Sequence, residues 1–166
     1  MIPVIKSLNQ RTDDEKAAAQ REDKATHKTL RALARKEQYC ADCTETLTGW
    51  VALPHGVFLC IHCAQVHRSL GTHVSRVKAY NTGTYLWYPD EVEAVNQMGN
   101  KRACSIYRGK PGAPARLAKT STQTAKFNQA KAIYEKKQWY VERAPPAAAE
   151  RTTEVLLEDF FGSYGL

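Results

Sequence analysis

Two pairs of closely spaced cysteines constrain this sequence more than any other feature. They follow the pattern Cys40-x2-Cys43-x16-Cys60-x2-Cys63. Two cysteines three residues apart can bind one ion from a tight turn, and two such pairs provide four thiolates for tetrahedral Zn²⁺. Because four protein ligands leave no open coordination position, we predict one structural zinc ion bound by these residues. The fifth cysteine, Cys104, is expected to be a packed, inert thiol.

The composition is that of a soluble globular chain that needs no disulfides. The 166 residues suffice for one domain with a sizeable core. Hydrophobic residues make up 43% and charged residues 25% of the chain. No apolar run approaches the roughly 18 residues that a spanning helix needs, which excludes a transmembrane helix. Because the N-terminus also has no apolar stretch of signal-peptide length, we expect a cytoplasmic protein.

The net charge of +7 is unevenly distributed along the chain. Residues 96–143 carry eleven basic and two acidic residues, whereas residues 144–166 carry one basic and four acidic residues. A basic block of this kind, concentrated in residues 101–137, can bind nucleic acid, an anionic membrane surface or an acidic protein. It can equally be a solvated helical surface.

Capping residues, turn signals and apolar periodicity predict three short strands and five helices. Asn100 is predicted to cap the helix that it begins. In chain order, the predicted elements are a helix over residues 12–37, strands over 50–53 and 57–59, a helix over 61–70, a strand over 74–80, helices starting at Pro89 and Asn100, and a helix over 121–137.

The helix over residues 61–70 predicts which way its side chains point. Cys63, Val66 and His67 share one face, which should turn toward the metal and the core. Arg68 lies five residues after Cys63, about 140° around the helix axis. It should therefore point away from the metal, as an ordinary surface arginine or as a contact to a partner. The five histidines are expected to pack or form hydrogen bonds and not to bind the metal.

The stretch around these residues resembles the ArfGAP family, the GTPase-activating proteins for Arf-type small GTPases. The cysteine pattern followed by Arg68 is similar to the family signature, as are residues 56–60 and 66–75. The resemblance covers about residues 24–141. It implies an α+β fold, with a small three-stranded antiparallel sheet and a four-cysteine zinc finger surrounded by α-helices.

The resemblance also implies a domain organisation and a function. We expect an N-terminal arm over residues 1–20, an ArfGAP-like zinc-finger domain over 21–143 and an acidic, aromatic C-terminal tail over 144–166. The implied activity is stimulation of an Arf-family GTPase in its GTP form, with Arg68 as an arginine finger supplied in trans. Such a protein has no substrate pocket of its own. It would act in membrane traffic, peripherally on Golgi or endosomal membranes, and could reach an anionic surface through residues 101–137.

Two alternatives remain at this point. The first is a non-catalytic adaptor with the same fold, because Tyr85 stands where the family commonly has the aspartate of a Leu-Asp-x-Trp stretch ending here at Trp87. The second is a nucleic-acid-binding finger of the GATA type. Such a finger concentrates basic residues directly after its last cysteine, whereas residues 61–75 contain only Arg68. Nucleic acid is therefore not an expected partner. Trp50 is expected to pack beside the zinc ribbon and support the site.

Overall fold

The computed structural model describes residues 4–142, and the predicted tail over 144–166 lies outside them. The described residues confirm the α+β fold with its three-stranded antiparallel sheet. None of the helices in this part of the chain has the length and apolar character needed to cross a bilayer. In chain order the elements are α1 Asp13–Ala34, β1 Trp50–Leu53, β2 Val57–Leu59, α2 Ile61–Ser69, β3 Arg76–Ala79, α3 Pro89–Gln97, α4 Gly99–Tyr107 and α5 Gln123–Ala130.

The strands pair in the order β2-β1-β3. The turn between β1 and β2 requires glycine at its last position, because Gly56 has a φ of +68° and an added Cβ would lie 2.7 Å from the Ala94 carbonyl oxygen. β3 is shorter than predicted, since residues 74, 75 and 80 remain outside the ladder. The last helix is predicted over residues 121–137, but the α-helical part, α5, covers only Gln123–Ala130. A π-helical turn, Lys131–Glu135, follows it directly.

Strands β1 and β2 are buried on both faces of the sheet, and their alternate side chains pack on opposite sides. Val51, Leu53 and Phe58 point into a cluster that contains Leu30 of α1 and Trp87. The residues between them point into a second cluster around the cysteines. This two-sided burial explains why β1 and β2 are continuous apolar runs in the sequence, whereas β3 is only partly buried and carries Arg76 and Lys78.

Helix α1 begins with the capping box that the sequence predicts, in which Thr12 accepts a hydrogen bond from the Glu15 amide. The helix is mostly polar, but Leu30 is fully buried and His27 is 4% exposed, with Nδ1 2.7 Å from the Tyr80 carbonyl oxygen. A short 3-10 turn, Leu8–Gln10, precedes it. The predicted division between arm and domain at residue 20 falls inside this helix.

The prediction that Asn100 caps α4 is wrong. The capping position is Met98, and the Asn100 side chain turns inward to the outer edge of β2. Its Oδ1 accepts from the Phe58 amide at 2.7 Å, and its Nδ2 donates to the Tyr39 and Phe58 carbonyls at 2.8 and 3.2 Å. The side-chain amide thus takes the place of a neighbouring strand at the point where the ladder ends.

Candidate functional site

The four cysteine sulfurs lie together in the second core cluster. All four residues are buried, and their Sγ atoms lie within 4.8 Å of one another. Cys43 and Cys60 are 3.7 Å apart, close to the roughly 3.8 Å that separates sulfurs around a tetrahedral ion with Zn–S bonds of about 2.3 Å. Four soft thiolate donors in this geometry fit a structural zinc ion and leave no position for a catalytic water.

Backbone amides complete the metal centre and fix its two halves. The Glu45 amide donates to Cys43 Sγ at 3.5 Å, and the Cys63 amide donates to Cys60 Sγ at 3.4 Å across the first turn of α2. Hydrogen bonds of this kind favour the thiolate form that binds metal. Because Cys63 lies on α2, the metal centre also fixes the helix that carries Arg68.

A segment of the basic block forms hydrogen bonds with the loop of the first cysteine pair. This contact is not predicted from the sequence. Leu117 and Cys43 form an isolated parallel β-bridge. The Leu117 amide donates to the Asp42 carbonyl, and the Leu117 carbonyl accepts from the Thr44 amide, both at 3.0 Å. Arg116 Nε donates to the Ala41 carbonyl at 3.2 Å. These residues have no apolar period, so only the tertiary structure reveals their contacts.

A buried polar chain links the first cysteine pair to the loop after α2. His67 is fully buried, with Nε2 2.8 Å from the Asp42 carboxylate and Nδ1 2.9 Å from Ser75 Oγ. In the neutral ring, Nε2–H donates to Asp42 and Nδ1 accepts from the serine hydroxyl. Burial alone would raise the pKa of Asp42, but the hydrogen bond from His67 and the charge of the nearby Arg108 lower it. The sequence places His67 on the inner face of α2 but does not reveal its two partners.

A second buried histidine fixes the same loop. His55 Nε2–H donates to the Val74 carbonyl at 2.9 Å, and Nδ1 accepts from the Tyr107 hydroxyl at 2.6 Å. Burial and the neighbouring His67 lower the pKa of His55 to about 3, so its ring is neutral at physiological pH. The two histidines hold residues 74 and 75 out of the β3 ladder. The loop that follows Arg68 is therefore tied to the core at two adjacent residues.

Arg68 lies on the exposed face of α2, in agreement with the helix geometry, whereas Cys63 and His67 are buried. Its guanidinium carbon lies 4.5 Å from the centre of the Trp50 ring. Trp50 is half-buried and packs against the core cluster around the cysteines. Tyr85 contacts the Trp50 ring edge-on, with 6.3 Å between ring centres. Trp50 thus packs beside the metal site, as expected, and its ring face also contacts the Arg68 guanidinium.

A cleft of about 540 Å³ opens beside Arg68. β3 contributes Arg76 and Lys78, and the segment before α3 contributes Tyr85 and Tyr88. One carboxylate, Glu91, lines the cleft and is 2% exposed. Lys78 Nζ lies 2.7 Å from that carboxylate, whereas an Arg76 nitrogen is 3.9 Å from it. Burial lowers the pKa of Lys78, and Glu91 opposes this shift. The cleft therefore combines aromatic walls with an excess of positive charge.

Part of the basic block points inward. Arg108 donates to the Pro114 carbonyl at 2.6 Å and lies 3.5 Å from the Asp42 carboxylate. The Lys126 side chain donates to the Lys119 carbonyl at 2.8 Å, and the residue is 5% exposed. These cations stabilise backbone carbonyls inside the domain. The block consequently presents less free charge than its composition suggests.

Comparison with known sequences identifies the family. The ArfGap family model, described as "Putative GTPase activating protein for Arf", matches residues 23–143. Stromal membrane-associated protein 1 of Mus musculus is 38% identical over 117 residues, which cover 69% of this chain and 26% of that protein. The ADP-ribosylation factor GTPase-activating protein effector protein 2 of Saccharomyces cerevisiae is 34% identical over 134 residues, which cover 78% of this chain and 44% of that protein. The chain thus spans less than half the length of these curated relatives.

Solved structures show the same fold. The ArfGap domain of HIV-1 Rev binding protein superposes with a TM-score of 0.62 at 23% identity, covering 76% of this chain and 95% of that chain. The ArfGap domain of human RIP superposes with a TM-score of 0.59, also at 23% identity, covering 74% of this chain and 95% of that chain. Because the family model matches residues 23–143, which are most of this chain, the chain belongs to the ArfGAP family.

Proposed function

We propose that this chain stimulates GTP hydrolysis by an Arf-family small GTPase in its GTP-bound form, with Arg68 as an arginine finger supplied in trans. The observation that carries the proposal is the placement of Arg68. Its guanidinium is exposed on a helix anchored by the metal centre and by buried histidines. A charged group on a rigid support can reach into the active site of another protein without first being ordered.

The chemistry of the reaction explains why an arginine suits this position. GTP hydrolysis spreads negative charge over the transferred phosphoryl group, and an arginine supplied in trans accelerates the reaction by about 10³–10⁵. A guanidinium is always charged, and its planar fork can bind two oxygens at once. This acceleration corresponds to about 4–7 kcal/mol of transition-state stabilisation.

The contact with Trp50 does not prevent Arg68 from reaching a nucleotide. A cation–π contact at an exposed site contributes about 0.5–1 kcal/mol. That free energy is several-fold smaller than the transition-state stabilisation that the guanidinium would gain at the phosphates. The Trp50 ring therefore orients the side chain in the free protein and can release it in the complex.

The surface of α2 around Arg68 suits a protein partner. Ile61, Gln65 and Arg68 are spaced four and three residues apart, and all three are exposed. Such spacing places them on one face of a helix. Ile61 is 44% exposed although it is apolar, and a partner that covers it would gain hydrophobic stabilisation. This face supports docking of the GTPase with Arg68 at its edge.

The proposal extends to membrane traffic. Arf-type GTPases are the partners named in the family description, and we propose that the chain meets its partner at Golgi or endosomal membranes. Several lysines of residues 101–137 remain exposed and can bind anionic headgroups through charge. These exposed lysines are Lys101, Lys110, Lys119, Lys136 and Lys137.

An adaptor function without catalysis is the second candidate, and Tyr85 is the observation that favours it. In this chain Tyr85 contacts the ring that carries Arg68 and lines the adjacent cleft. A bulky aromatic side chain at that position, where the family commonly has a carboxylate, changes the surface offered to a GTPase. Such a protein would bind the GTP form without accelerating hydrolysis.

Single-turnover hydrolysis by a panel of Arf-type GTPases separates the two candidates. We expect the wild-type chain to accelerate hydrolysis and the Arg68→Ala variant to lose about 10³-fold or more of the stimulated rate. Arg68→Lys should restore little, because an ammonium group cannot bind two oxygens in a fork. Arg31→Ala, on the exposed surface of α1, is the matched control and should behave as wild type.

The folded state of each variant must be checked, because a rate lost through unfolding would be uninformative. Zinc content and melting temperature of Arg68→Ala should equal those of the wild type, since the side chain is exposed. If the wild type binds the GTP form of a GTPase but accelerates none, the adaptor function is correct. If the GTPase hydrolyses GTP equally fast with Arg68→Ala and with the wild-type chain, Arg68 is not the finger.

A further inference from the structure

Residues 6–11 lie outside the part of the chain that matches the family model, yet they form one wall of the cleft beside Arg68. Lys6, Leu8 and Arg11 line this cleft together with Arg68 and Tyr85. The family match begins only at residue 23. The wall is therefore a feature of this chain that the family comparison does not assign.

The wall is fixed by contacts on both its backbone and its side chains. An Arg11 nitrogen lies 2.8 Å from the Asp90 carboxylate, and the Lys6 amide donates to the same carboxylate at 3.0 Å. The Arg11 guanidinium carbon also lies 4.2 Å from the centre of the Tyr88 ring. Only 4% of the Arg11 side chain is exposed. These contacts attach the segment to the start of α3.

This fixed wall presents an apolar side chain to solvent. Leu8 is 68% exposed, and it lies at the border between the cleft and a shallower hollow that contains Leu86 and Tyr88. Arg11 and Lys78 in the cleft are paired with carboxylates, but Arg68 has no carboxylate within salt-bridge distance among the described residues. An occupant should therefore offer an apolar side chain next to a negatively charged group, which in the proposed complex is the phosphate chain of the bound GTP.

We propose that residues 6–11 are a second docking surface for the GTPase partner, with Leu8 as its apolar contact. The inference rests on the proposed function, because Arg68 would place the GTPase over the mouth of this same cleft. Because Leu8 and Arg68 line the same cleft, we expect the surface that Arg68 approaches to extend over Leu8. Residues 6–11 contribute to affinity and partner choice, and they do not contribute to the chemical step.

Substitution of Leu8 tests the proposal, because the exposed side chain can change without disturbing the core. Single-turnover hydrolysis should be followed at increasing activator concentration, without vesicles, so that half-saturation and maximal rate are separated. Burying the exposed part of a leucine stabilises a complex enough to change affinity about 5- to 30-fold. Leu8→Ser should raise the half-saturating concentration by that factor and leave the maximal rate unchanged. Leu8→Met should restore most of the affinity.

A matched control lies in the same part of the chain. Val4 is 87% exposed and lines neither hollow, so Val4→Ser should leave both parameters unchanged. If a GTPase is bound but not activated, the dissociation constant replaces half-saturation, and Leu8→Ser must weaken it. If the wild type activates a GTPase and Leu8→Ser equals it in both parameters, residues 6–11 are not a docking surface and the proposed function stands. If no Arf-type GTPase is activated or bound, both proposals are wrong.

Anionic vesicles test the other possible occupant. Vesicles of phosphatidylcholine with phosphatidylserine should bind Leu8→Ser and wild type equally. If Leu8→Ser loses vesicle binding while half-saturation in solution is unchanged, residues 6–11 contact the lipid bilayer and not the GTPase, which would overturn the proposal.

Discussion

The inward-turned side chain of Asn100 leads to a prediction of stability that can be worked from its contacts. Asn100→Ala removes the acceptor for the Phe58 amide and the donor to the Tyr39 carbonyl. The Phe58 carbonyl keeps a second donor, the Ala41 amide at 2.9 Å, so the two backbone groups that lose the partner given to them by the described residues are the Phe58 amide and the Tyr39 carbonyl. Each buried group left without a hydrogen bond costs about 1–3 kcal/mol. We therefore expect a loss of about 4 kcal/mol in the free energy of unfolding.

Urea unfolding of the zinc-saturated protein, followed by circular dichroism, measures this loss. A change of that size should also lower the melting temperature by roughly 10 °C for a domain of this length. Asn96→Ala is the matched control, because Asn96 is exposed on α3, and its effect should stay within about 0.5 kcal/mol. If Asn100→Ala lowers the free energy of unfolding by less than about 1 kcal/mol, water replaces the Asn100 side-chain amide at the edge of β2. The role assigned to this side chain would then be wrong.

Two further predictions concern the metal and the basic block. Chelation at neutral pH should loosen residues 38–80, because zinc binding and folding are coupled, and amide hydrogen exchange should rise there first. In elemental analysis Cys104→Ser should keep one zinc ion per chain, whereas Cys60→Ser should lose it. A freshly purified wild-type protein without zinc would refute the site. Co-sedimentation with liposomes should rise with anionic lipid and fall with salt. Reversing the charge of Lys136 or Lys137 should weaken it more than reversing that of the exposed Lys36, which follows α1 and lies outside the basic block, and equal binding to neutral liposomes would show that the basic block is only a solvated surface.

The sequence predicts those parts of the fold that depend on local patterns. The strands at Trp50–Leu53 and Val57–Leu59 have the predicted bounds, and α2 ends before Gly71, whose φ is +92°. The cysteine spacing likewise predicts the cluster that the structure contains. In each case the signal lies within a few residues of the feature it predicts, so no tertiary information is needed.

The side chains that the sequence could not assign act through long-range contacts. Asp42 stands between two metal ligands, and its partner His67 lies 25 positions further along the chain. Asn100 has the residue type of a helix cap, and only the packing of α4 against β2 turns it inward. Arginine is a residue type typical of the protein surface, yet the Arg116 side chain donates a hydrogen bond to the Ala41 carbonyl. No periodicity or spacing rule connects such pairs before the chain is folded.

Helix α1 has a consequence for how this protein can be divided. Family similarity begins at residue 23, so a fragment cut at that point would lose the first ten of the 22 residues of α1. It would also lose Thr12, whose side chain caps the N-terminus of the helix, and Arg11, which pairs with the Asp90 carboxylate and stacks on the Tyr88 ring. A stub of twelve residues is barely long enough to remain helical on its own. We therefore expect a fragment cut at residue 23 to be less stable than the full chain, so that its melting temperature would understate the stability of the whole.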